Sequence, residues 1–112
     1  MPLHEDAHLR ILKIVAEDPD ISQRQLAQRL GVSLGKTNFM VRSLLEKGLL
    51  KARNFRQAQN KLQYAYLLTP KGIAAKVQLT RAYLARKEAE YEALQAEIRA
   101  LRNEVDTTHE AR

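Results

Sequence analysis

Residues 21–50 read ISQRQLAQRLGVSLGKTNFMVRSLLEKGLL, two helix-length segments joined by a turn. Ser22 opens the first segment with Gln25 three residues later, the spacing of a capping box in which each side chain satisfies the other's free backbone donor. Leu26, Ala27 and Leu30 supply its apolar face, Gly31 and Val32 make a tight turn, and Ser33 is placed to cap the next helix. That helix ends near Gly48 and carries Thr37, Val41, Leu44 and Leu45 on one side. The run from Gly31 to Thr37 comes near a phosphate-binding loop, but three residues separate its glycines where that loop has four. It also joins two helices, whereas a phosphate-binding loop follows a buried strand.

Upstream, Leu9, Leu12, Val15 and Ala16 recur at helical spacing, with Ile11 and Ile14 widening the stripe, from about His4 until Asp18-Pro19-Asp20 ends it. Downstream of Gly48 the period changes to two. Leu50, Ala52 and Asn54 alternate with Lys51, Arg53 and Phe55, a polar segment follows, and Leu62, Tyr64, Tyr66 and Leu68 form a second strand. The two strands make a hairpin with a basic tip, and the alternation assigns Tyr64 and Tyr66 to core or cross-strand packing. Thr69 then caps a long helix whose first residue is Pro70. The order predicts a mainly α chain with a small β-hairpin: a winged helix-turn-helix followed by a long C-terminal coiled-coil helix. The expected division is a DNA-binding domain over 1–75, a dimerisation helix over 76–106 and a disordered tail over 107–112.

Charge is segregated along this plan. The chain's net charge is +6, yet residues 21–87 hold fourteen Lys and Arg against one acid, Glu46, while residues 1–20 are net −3 and residues 88–112 net −4. A positive body between acidic ends points to a polyanionic partner, because clustered cations neutralise phosphates and release counterions. In 112 residues there is room for one domain and an appended helix. With no cysteine, disulfides, thiolate metal sites and cysteine nucleophiles are excluded. No run reaches the roughly 18–20 apolar residues of a membrane span, and residues 1–20 lack the apolar segment of a signal peptide, so a soluble, cytoplasmic protein without a membrane partner is expected.

On a helical wheel of the third helix, Gly35, Lys36, Phe39, Arg42, Ser43 and Glu46 fall opposite the apolar face, with Asn38 at the flank. Such a helix places its N-terminal residues against base edges. Gly35 allows close backbone approach, Lys36 suits a phosphate or guanine, Asn38 an adenine, and Phe39 a thymine methyl or, alternatively, the core. Ser33, Gly35, Lys36, Asn38, Phe39, Arg42 and Ser43 are therefore the candidate reading surface. Lys51, Arg53, Arg56 and Lys61 line the hairpin as a wing, with Arg53 and Arg56 preferred as its contacts and Lys61 beside them.

His4-Glu5-Asp6-Ala7-His8 matches the H-E-x-x-H zinc pattern. The only other histidine, His109, lies at the opposite end of the chain, so no third ligand is at hand and the pattern assigns no metal and no catalysis. No cofactor or effector ligand is assigned either.

The segment at 21–50 and the run YLLTPKG at 66–72 resemble the MarR-type winged-helix regulators. The strings SLGKTNF and NKLQYAYLLTPKG are similar to the small MarR-type regulators associated with exopolysaccharide loci. The resemblance implies a non-enzymatic regulator of transcription bound to double-stranded DNA. The rival expectation is a winged-helix protein-interaction adaptor.

In the MarR plan, helices from both chain ends interlock into a dimer; here no counterpart of the N-terminal arm is expected, and homodimerisation is expected to rest on the C-terminal helix. Val77, Leu84, Tyr91, Ile98 and Val105 recur every seven residues, and Thr80, Lys87, Leu94, Leu101 and Thr108 lie three further on. This is a heptad seam, weak up to Lys87 and strong beyond it. Leu84, Tyr91, Leu94, Ile98, Leu101 and Val105 are its expected contacts.

Overall fold

Local side-chain chemistry sets most of the element boundaries. A computed structural model describes residues 2–56 and 62–110, with side chains described for residues 6–53 and 65–108. Its elements are α1 (Pro2–Glu17), α2 (Gln23–Leu30), α3 (Leu34–Glu46), β1 (Leu50–Arg56), β2 (Leu62–Leu68) and α4 (Pro70–Glu110). The predicted capping box is present: the Gln25 amide donates to Ser22 Oγ at 3.1 Å, and the Ser22 amide donates to Gln25 Oε1 at 3.0 Å. Gly31 ends α2 in the left-handed region at φ 72°, where only glycine is unstrained. Its N–H and that of Val32 both reach the Ala27 carbonyl, and this closes the turn.

Arg10 of α1 donates to the Arg29 carbonyl at 2.9 Å and the Leu30 carbonyl at 3.4 Å. A cation thus sits on the negative end of α2 and locks the first two helices together. Ser33 caps α3 by accepting from the Lys36 amide at 3.1 Å. Thr37, although fully buried, donates its hydroxyl to the Ser33 carbonyl at 2.9 Å and leaves no polar atom unsatisfied.

The hairpin is antiparallel, with Leu50 opposite Leu68, Ala52 opposite Tyr66 and Arg56 opposite Leu62. Thr69 joins it to α4 in two ways. Its hydroxyl accepts from the Gly72 amide at 2.9 Å, capping α4, and donates to the Gly48 carbonyl at the end of the α3–β1 turn. The chain divides into two units, Met1–Thr80 and Arg81–Arg112. In the first, Ile11, Leu12, Ile14 and Val15 of α1 meet Leu26 and Leu30 of α2, Met40, Val41 and Leu44 of α3, and Leu50 and Tyr66 of the hairpin, with Leu79 packed against them.

In the second unit, Leu84, Tyr91, Leu94, Ile98, Leu101 and Val105 are all exposed along α4. The helix continues to Glu110, so residues 107–110, expected as tail, are helical. No glycine or proline follows Gly72, and the Thr108 hydroxyl bonds back to the Glu104 carbonyl. Among the described residues no helix is long and apolar enough to cross a membrane.

Candidate nucleic-acid interface

The core described above turns one side of α3 inward and leaves the other in solvent. Ser33, Gly35, Lys36, Phe39 and Arg42 are exposed, and Asn38 and Ser43 are half-buried at the edge of that surface. Phe39 is 69% exposed, which removes the core-packing alternative for it. Asn38, Phe39, Arg42, Ser43 and Glu46 together line one shallow concavity. At Gly35 an added Cβ would meet nothing within 4 Å beyond its own helical turn, so this glycine leaves open space at the start of α3.

Asn38 is held in place. Its Nδ2 donates to Gln23 Oε1 at 3.1 Å, and Gln23 Nε2 in turn donates to the hydroxyl of the buried Tyr66 at 2.8 Å. This chain of hydrogen bonds links α3, α2 and β2. It leaves Asn38 its Oδ1 and its second N–H, the acceptor and donor that a bidentate contact with adenine requires. Neither Gln23 nor the Tyr66 hydroxyl was legible as part of the site, because the residues lie 43 apart in sequence and no helical or strand spacing connects them.

The wing cations are placed less uniformly. Arg53 Nη2 lies 2.7 Å from Asp20 Oδ1, an ion pair between β1 and the α1–α2 connection that sequence reasoning missed. Both side chains are largely exposed, so the pair is weak and a phosphate can compete for Arg53. Lys51 is exposed, whereas the side chain of Arg56 and the whole of Lys61 lie outside the described residues. Arg24 and Arg29 of α2, together with Lys36 and Arg42 of α3 and Lys47 just after it, are further exposed cations of residues 21–87, a stretch whose single acid is Glu46. Such a surface attracts a polyanion at long range.

Residues 5–51, from α1 to the start of β1, match the winged helix-turn-helix DNA-binding family. The N-terminal unit is a winged helix-turn-helix. Its fold is similar to that of a PadR-like transcriptional regulator from Bacillus cereus, at TM-score 0.71 and 16% identity over 79% of this chain and 90% of that one. A MarR family transcription regulator matches at TM-score 0.64 and 21% identity, over 82% of this chain and 62% of that one, so the chain spans less than two thirds of that regulator's length. Streptococcus pneumoniae FabT in complex with DNA matches at TM-score 0.55 and 20% identity, over 94% of this chain and 76% of FabT. No curated protein matches the chain. The expected resemblance to MarR-type winged helices is met at the level of the fold, with α3 as the second helix of the helix-turn-helix and β1–β2 as the wing.

Proposed function

We propose that the chain is a regulator of transcription that reads double-stranded DNA as a homodimer, with α3 in the major groove and the wing against the adjacent backbone or minor groove. The observation that carries this reading is the exposed outer face of α3. It offers Lys36, Phe39 and Arg42 beside the oriented amide of Asn38, within residues 21–87, where fourteen Lys and Arg stand against one acid. FabT, whose fold is similar, is a protein seen with DNA. The exposed heptad positions of α4 support a second copy as partner, since a row of Leu, Ile and Tyr in water is otherwise unfavourable. The narrower likeness to exopolysaccharide-associated regulators rests on the strings at 33–39 and 60–72 alone. No catalytic role and no cofactor are assigned.

Titrations over several salt concentrations, on a cognate and a scrambled duplex, separate positioning from reading. Arg53→Ala should lower the salt slope by about 1 on both duplexes if it neutralises one phosphate. Lys36→Ala and Asn38→Ala should instead cost roughly 1–3 kcal/mol on the cognate duplex alone, the worth of a bidentate base contact. Gln23→Ala should reproduce part of the Asn38→Ala loss, because an unheld amide must be ordered on binding. If every variant bound both duplexes like the parent, a protein-interaction adaptor would be the better description.

A further inference from the structure

Along the second unit, Tyr91, Leu94, Ile98, Leu101 and Val105 form an exposed seam, with Tyr91 61% and Val105 67% in solvent. Ile98, Leu101, Arg102 and Val105, with Asp106 at its edge, line a shallow hollow beside it. Four such residues make the kind of hole that receives a side-chain knob from a facing helix. The charges flanking the seam are unequally divided. Glu90, Glu97 and Glu104 each precede a seam position of the Tyr91 series and form one flank, entirely acidic. Glu88, Gln95 and Arg102 each follow a position of the Leu94 series and form the other.

Antiparallel helices bring equal flanks together, which would set the row of glutamates against its own copy. Parallel helices bring unlike flanks together, each residue meeting the one five further along the partner. Glu97 then faces the partner's Arg102, twice by symmetry, and Glu90 faces the neutral Gln95 of the partner subunit. We infer that two copies of α4 pair in parallel and in register through the seam from Tyr91 to Val105, with Glu97 and Arg102 fixing orientation. This rests on the homodimer proposed above. Both chains enter such a coil from the same end, and the hollow around Leu101 receives the partner's Leu101.

The chain contains no cysteine, so one introduced thiol reports the arrangement without background. In full-length V105C under mild oxidation, the parallel coil places the two thiols at equal height, and most of the protein should become a covalent dimer. An antiparallel coil on the same seam would separate them by about 15–30 Å at 1.5 Å per residue, beyond the reach of a disulfide. Sedimentation of the unmodified chain is measured alongside. A dimer in which V105C fails to crosslink overturns the parallel arrangement and leaves the homodimer standing. A monomer removes the homodimer and the coil with it. Glu97→Arg should further weaken the dimer about fivefold by opposing Arg102, and adding Arg102→Glu should restore it. Equal dimer affinity in all three proteins would overturn the assigned pairing.

Discussion

Truncation after Lys87 should leave a folded, monomeric winged helix that has lost tight binding to an operator with two half-sites. Among the described residues, the buried core from Leu9 to Tyr66 and Leu79 packed against it lie before the cut, so the helix-turn-helix keeps its packing. The removed residues 88–112 carry a net charge of −4, so the remaining protein is more positive and retains nonspecific affinity for any duplex. On the proposed homodimer, what disappears is the proximity of a second reading head. An unlinked head loses the effective concentration that joins two binding events, and affinity for the two-site duplex should fall about 10²–10⁴-fold. Sedimentation and titration on one-site and two-site duplexes check this. Unchanged operator affinity in a truncated protein that is still dimeric would place the interface within the winged helix.

A second large effect is expected at Gly72, at the start of α4. An added Cβ there would overlap the Leu49 backbone carbonyl, which cannot swing aside as a flexible side chain would. Leu49 is fixed from both directions: its carbonyl accepts from the Thr69 amide at 3.1 Å and its own amide donates to the Leu44 carbonyl at 2.9 Å. Gly72→Ala must therefore push α4 off the start of the wing, at a cost of about 2–3 kcal/mol typical of overpacking. For a unit of this size that corresponds to roughly 10–20 °C in Tm. Gly35→Ala is the matched control. It adds the same methyl group where nothing beyond its own helical turn lies within 4 Å, so thermal stability should hold or rise by a few degrees through the better helix propensity of Ala, while the added bulk at the start of α3 should weaken DNA binding. Equal Tm values for the two variants would show that the close approach at Gly72 is relieved at little cost.

Those two glycines also show where sequence reading succeeds and where it stops. The helix boundaries were legible because caps are local: Ser22 with Gln25, Gly31, Ser33 and Thr69 each act within four residues of where they stand. The apolar face of α3 was legible from its period: Thr37, Val41 and Leu44 are buried as the wheel requires, Leu45 is half-buried, and Met40, which the wheel did not assign, is buried with them. Long-range contacts leave no such trace. The approach of Gly72 to Leu49, the Gln23–Tyr66 bond and the Asp20–Arg53 ion pair join residues 23 to 43 positions apart, and no periodicity encodes them. Charge segregation identified the wing as basic but could not show that Arg53 already has a carboxylate beside it.

Selection of bound duplexes from a library of random DNA tests sequence-specific recognition by a dimer most directly. Two copies of the winged helix related by a two-fold axis should enrich an inverted repeat, with half-sites about one helical turn apart or a multiple of it. Recovery of duplexes with no shared motif, at a salt concentration where the protein still binds, would contradict that recognition and leave α3 as a surface for phosphates or for another protein.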